Sequence, residues 1–162
     1  AVYRELFRES NDSDTIKYYR KIKGLVHEAK WQKYRDELLK VRNFGKTANN
    51  VLAEIYVEEQ LLDRLYEHLL HSNYALLSAL ESYAKYLSEE QQQILVARLE
   101  KELCGGFSFN TTRKDYQNLA GRLSRLKKTC PAGKAMAEKV INYHLTKYRN
   151  RPALREELQK VR

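Results

Sequence analysis

His68 and His71 stand three positions apart, a spacing that puts two imidazoles on one helical face and suits a pair of metal ligands. A site needs a third and a fourth ligand, and only Asp63 and Glu67 lie near in sequence. The pair therefore predicts no metal centre. His27 and His144 are isolated, and His144 falls on an apolar helical face that leaves it half-buried. The doublets Glu58-Glu59 and Glu89-Glu90 have the side chains of acid–base catalysts. They fall at turns or helix starts, however, where solvent and the helix dipole account for them. There is no G-x-S-x-G elbow, no phosphate-cradling glycine loop and no H-E-x-x-H pair. Gly105-Gly106 follows no strand, so it reads as a helix stop. The residues predict no enzyme, no cofactor and no metal.

The elements that carry these side chains are helical. Two prolines and six glycines in 162 residues, with abundant Leu, Ala, Glu, Lys, Arg and Gln, make a helix-forming mixture. Charged residues reach 31%, which raises the question of disorder, but dense Leu and Tyr at helical spacing argue for a packed core. The length fits one domain over residues 1–162. No apolar run approaches the ~20 residues of a membrane span, and no signal-peptide pattern opens the chain. Residue 1 is Ala and enters helical sequence almost at once, so the chain reads as a piece of a longer protein. Cys104 and Cys130 read as free thiols of a cytoplasmic protein, although a disulfide between them is open. Asn11-Asp12-Ser13 and Asn110-Thr111-Thr112 match the glycosylation pattern, but helix caps favour the same residues.

The apolar pattern predicts four helix pairs between a short first helix and a closing last one. Ile16, Tyr19, Ile22 and Val26 form one face, answered by Trp31, Tyr34, Leu38, Leu39 and Val41 before a stop at Gly45. Later faces are Val51, Leu52, Ile55 and Tyr56, then Leu62, Leu65, Tyr66 and Leu69, with a break at Ser72-Asn73. Ser88 with Gln91, and Thr112 with Asp115, have the spacing of capping boxes, and Pro152 suits the first turn of the last helix. At an offset of 31 residues Val26 falls on Val57, Glu28 on Glu59, Trp31 on Leu62, Tyr34 on Leu65, and Leu38-Leu39 on Leu69-Leu70. A face recurring at a helix-pair period predicts an all-α, right-handed stack of antiparallel helix pairs, an α-solenoid of nine or ten helices.

Leu52-Ala53-Glu54-Ile55-Tyr56-Val57-Glu58-Glu59 resembles the first helix of a tetratricopeptide-like repeat, with Gln60 where that repeat usually turns on glycine. Tyr148-Arg149-Asn150-Arg151-Pro152-Ala153-Leu154-Arg155-Glu156-Glu157-Leu158 is similar to the closing segment of helical-repeat regions that follow the zinc module in bacterial SWIM zinc-finger proteins. The resemblance covers residues 15–162. The family's metal motif, C-x-C followed by C-x-H, is absent, so no zinc site carries over. The resemblance implies a helical accessory region that serves interaction, near nucleic acid.

Charge is uneven along the chain. Residues 17–46 hold ten Lys/Arg against three Asp/Glu, residues 47–112 four against ten, and residues 113–162 fourteen against four. Such alternation ties helices together, or it draws a phosphate backbone or an acidic protein to the basic ends. Two sets of candidate residues follow. A peptide, protein or sister domain of the same chain would meet a groove holding Asn50, Arg64, Tyr74 and Asn118. Nucleic acid would meet Lys17, Arg20, Lys21, Arg122, Arg125 and Lys128, with Lys134 and Lys139 extending the patch. Seven of the twelve tyrosines sit at core spacing, whereas Tyr18, Tyr74, Tyr86 and Tyr143 are the candidates for exposure and base stacking. The leading reading is a non-enzymatic interaction or scaffold module, with nucleic-acid binding as the alternative.

Overall fold

The computed structural model describes residues 2–10, 12–41, 49–71, 76–108 and 111–162. The described residues form ten α-helices and no strand, in keeping with the composition. These are α1 (Val2–Glu9), α2 (Asp12–Leu25), α3 (Glu28–Val41), α4 (Asn49–Glu58), α5 (Leu62–His71), α6 (Leu76–Tyr83), α7 (Glu89–Leu103), α8 (Arg113–Lys127), α9 (Pro131–Lys147) and α10 (Pro152–Gln159). A single 3-10 turn, Ala84–Tyr86, follows α6. No described helix is long and apolar enough to cross a membrane. The stops expected at Gly45 and at Ser72-Asn73 lie outside the described residues, as do Asn11 and Asn110.

The chain divides into two compact units, Ala1–Leu65 and Tyr66–Arg162, with the division inside α5. In the first, α2 packs on α1 and α4. Its core is the set expected from helical spacing: Tyr19 and Ile22 of α2, Trp31 and Leu38 of α3, and Val51 and Ile55 of α4, with Phe7 added by α1. Tyr19 meets Trp31 edge-on at 5.5 Å between ring centroids and Phe7 at 6.1 Å. Such rings bury large apolar areas in a preferred geometry.

In the second unit α9 lies against α7 and α8, while α10 covers α8. Leu95, Leu123, Leu126, Ile141, Leu154 and Leu158 are completely buried. Ser88 caps α7, its hydroxyl accepting from the Gln91 amide at 3.2 Å while the Gln91 side chain accepts from the Ser88 amide at 3.1 Å. Asp115 reaches back to the Thr112 amide at 2.7 Å at the start of α8. Pro131 and Pro152 occupy first turns of α9 and α10, where a missing N–H costs nothing. Helix α7 ends at Leu103, just before Gly105-Gly106.

Two turns use glycine geometry in opposite ways. Gln60 has φ 56°, the one non-glycine residue with positive φ among those described. The Leu61 amide donates to Tyr56 O at 2.8 Å and the Gln60 amide to Val57 O at 3.1 Å, the paired bonds of a Schellman cap. Gln60 thus adopts the conformation that glycine holds without cost. At the start of α9, Gly133 is buried, and a Cβ there would lie 2.4 Å from Leu126 O and 2.5 Å from Thr129 Oγ1. The Gly133→Ala change should therefore lower stability by about 1–3 kcal/mol through overpacking. Gln60→Gly should raise it by up to ~1 kcal/mol by removing left-handed strain. Thermal unfolding of the two variants should shift Tm in opposite directions.

Candidate interaction surface

In the first unit, the two arginines named from the sequence meet acidic residues and, among the described residues, the two lysines do not. Arg20 of α2 donates through Nε to Glu58 at 2.9 Å and through Nη2 to Glu54 at 3.2 Å, both on α4. Lys21 lies over the Tyr3 ring at 5.3 Å, and Lys17 is exposed. Arg64 grips Asp36 with two bonds, at 2.9 and 3.2 Å, and its guanidinium holds the Asp36 carboxyl below the usual range. Asn50 is exposed at the start of α4. Tyr74 lies outside the described residues.

The strongest polar centre of this unit was not legible as one. Glu59, expected in solvent, has a side chain only 5% exposed. Its oxygens accept from Lys23 Nζ at 2.7 Å, Trp31 Nε1 at 2.8 Å and Arg35 Nη1 at 3.4 Å. The cause of the misreading is position. Glu59 follows the last residue of α4, and the Schellman turn at Gln60 fixes it there against α2 and α3. Burial works against its charge, but the bonds from Lys23 and Trp31 and the nearby Arg35 outweigh that and hold the carboxyl below its ordinary range. Arg35 is itself buried and also bonds Asp36 at 3.1 Å. The Tyr19 hydroxyl is buried beside Glu59, and burial, with the charge of Glu59, pushes its pKa upward.

The second unit follows the same rule of pairing. Arg125 of α8 donates to Glu81 at 2.8 Å and Arg122 to Glu102 at 2.7 Å. Arg113 reaches Glu156 at 2.8 Å and Glu157 at 3.0 Å. Lys139 meets Glu100 at 2.7 Å, so it does not extend an open basic patch. Lys128 and Lys134 are exposed. Of the tyrosines expected at the surface, Tyr143 is exposed, whereas Tyr18 and Tyr86 are half-buried.

Asn118 and Arg122, drawn from different candidate sets, come together one turn apart on α8. They line an open cleft of about 240 Å³ with Leu103, Gly105, Gly106 and Phe107. The Asn118 side chain is exposed and makes no hydrogen bond among the described residues. Phe107 is held from behind. Its amide donates to Tyr148 Oη at 3.1 Å, and its ring lies 5.1 Å from Tyr116 and 5.2 Å from both His144 and Tyr148. Arg151 closes this group, bonding Tyr116 Oη at 2.7 Å and stacking its guanidinium 5.3 Å from the Tyr148 ring. His144, expected half-buried, is fully buried.

Neither histidine pair nor cysteines gather ligands. His71 meets Glu67 at 3.3 Å, and no group of three or more His, Cys, Asp or Glu side chains suited to a metal ion occurs among the described residues. Cys104 and Cys130 are free thiols, and Cys130 Sγ accepts from the Gly133 amide at the start of α9. Compared with protein-family models, curated proteins and solved structures, the chain matches none.

Glu59 yields a direct prediction. Its lowered pKa means the stabilisation is complete above about pH 4.3 and is lost as pH falls through the folded value. Glu59→Gln should cost about 3 kcal/mol, because it leaves Arg35 buried with Asp36 alone. Trp31 is the sole tryptophan, so its fluorescence during urea unfolding reports this unit. The variant should also lose the part of the acid sensitivity that Glu59 carries, while the part due to Asp36 stays.

Proposed function

We propose that this chain is a non-enzymatic interaction module of helical-repeat type, whose helix pairs stack in a tetratricopeptide-like, right-handed manner. Its partner is a protein or peptide, or a sister domain of the same chain, and its setting is the cytoplasm. The observation that carries this reading is Asn118, exposed and without a hydrogen bond among the described residues, on the wall of the cleft beside Arg122. An amide side chain can donate and accept at once, the pattern needed to hold an extended peptide backbone. The half-buried Phe107 adds apolar surface for one side chain of such a segment, with Leu103 and Leu119 buried beneath the cleft wall. At about 240 Å³ and open, the cleft is smaller than the ~300–1,000 Å³ typical of enclosed small-molecule sites. The similarity of the closing segment to the repeat regions of SWIM zinc-finger proteins is in keeping with an accessory role.

Nucleic-acid binding is the weaker alternative. Its support is the excess of Lys and Arg in residues 113–162. Against it, Arg20, Arg122 and Arg125 each hold carboxylates at 2.9 Å or less, and a phosphate would have to displace those partners. Of the named cations, Lys17, Lys21, Lys128 and Lys134 are exposed, so a phosphate backbone would have to be met by these lysines without the arginines.

Selection of random peptides displayed against the whole chain tests the reading. Selected peptides should share a short motif with an apolar residue and should bind at least tenfold more weakly to Asn118→Ala, a loss of about 1.4 kcal/mol. Failure to enrich a motif, or equal binding by the variant, contradicts it. Salt-sensitive binding of labelled RNA or DNA at about 50 but not 200 mM salt, abolished by Arg122→Glu with Arg125→Glu, would favour the alternative.

A further inference from the structure

His144 occupies an unusual place for an imidazole. It is completely buried on α9, and Nε2 lies 2.7 Å from the carbonyl oxygen of Leu103, the last residue of α7. A carbonyl only accepts, so Nε2 carries the proton and donates. Nδ1 is then the lone-pair nitrogen, and it is buried without a hydrogen-bond partner. A second proton would therefore place an N–H and a full charge where nothing receives them.

The surroundings do not offset that charge. On α9 and just beyond it, Tyr143, Lys147 and Tyr148 flank the ring, with Tyr143 and Tyr148 at 5.2 and 5.8 Å between centroids. From the segment after α7 comes Phe107, from α8 the phenol of Tyr116 behind it, and from the α9–α10 turn the guanidinium of Arg151 over Phe107 and Tyr148. Just past α7 the Cys104 thiol adjoins Leu103, and on α7 the Glu100 carboxylate is tied to Lys139. The charged groups nearest the ring are thus cationic, and among the described residues no carboxylate pairs with it.

What His144 holds matters for the cleft. Leu103, Gly105, Gly106 and Phe107 are wall residues of the cleft, and this wall is pinned from α9 by two bonds, His144 to Leu103 O and Tyr148 Oη to the Phe107 amide. We propose that His144 is a proton-operated latch: neutral, it fixes the wall formed by residues 103–107, and protonated, it releases that wall from α9. The effect on peptide binding rests on the reading of the cleft given above; the latch itself does not.

Burial, opposed by the Leu103 carbonyl and aided by Lys147, holds the pKa of His144 below its ordinary value. The sign follows. The closed form is fully favoured above the ordinary histidine value of about 6.5, and below it the closed-to-open ratio falls up to tenfold per pH unit until the folded value is reached.

Hydrogen exchange on the whole chain between about pH 8 and 5, corrected for intrinsic exchange rates, reads the latch without any ligand. Protection of residues 100–108 should fall up to tenfold per pH unit below about 6.5, with residues 12–41 of the other unit unchanged. In His144→Gln, whose amide can still donate to Leu103 but cannot titrate, protection should be independent of pH. If that variant does not fold, an NMR titration of the native imidazole takes its place, and its protonation should coincide with the loss of protection. Constant protection in the native chain overturns the proposal. So does an unchanged pH dependence in the variant, or an imidazole that stays neutral while protection falls. Because no peptide is present, none of these outcomes depends on whether the cleft binds one.

Discussion

A carboxylate at the wrong end of a helix is the constraint on which the first unit depends. Glu59 stands at the C-terminus of α4, where the helix dipole disfavours negative charge, and it is buried as well. It survives there because α2 supplies Lys23 and α3 supplies Trp31 and Arg35. Three helices are thereby committed to one point in space. Without Arg35, Glu59 would keep only Lys23 and Trp31, and without Glu59 the buried Arg35 would keep only Asp36. The core of Tyr19, Trp31 and Ile55 packs around this charge cluster, and Gln60 bears local strain to aim it.

The second unit solves its corresponding problem with rings. After the last amides bonded back into α7, those of Cys104 and Gly105, the chain through 106–108 is held from α9 and from the turn that follows it. Tyr148 accepts the Phe107 amide, His144 donates to Leu103, and Arg151 seals the aromatic group through Tyr116. The exposed ion pairs around this unit, such as Arg125 with Glu81, contribute less, about 0.2–1 kcal/mol each. Their larger effect is to occupy arginines whose charge would otherwise face a ligand. The alternation of basic and acidic segments is thus expressed, in both units, as contact between helices.

Local signals were legible where one turn of chain contains the whole cause. Ser88 with Gln91, Thr112 with Asp115, Gly105-Gly106 and Pro152 each mark a helix end at its own position. The apolar faces through Tyr19, Leu38, Ile55 and Leu65 follow from helical spacing alone. Glu59 was not legible, because its partners lie 24, 28 and 36 residues away and its turn relies on an unusual left-handed glutamine. The depth of His144 was hidden in the same way, since its bond to Leu103 spans 41 residues. Of the candidate site, Asn118 and Arg122 lay one turn apart in the sequence, but the loop that makes a cleft beside them came only with the fold.

Glu59 and Arg35 act as one unit that holds α3 to the end of α4. A double-mutant cycle measures it most directly, using Arg35→Met, Glu59→Gln and the double variant, with unfolding in urea followed by the fluorescence of Trp31. A coupling energy above about 1.5 kcal/mol is predicted, with the double variant more stable than the sum of the single losses implies. Additive losses would contradict the account, since each side chain would then be stabilising the unit independently.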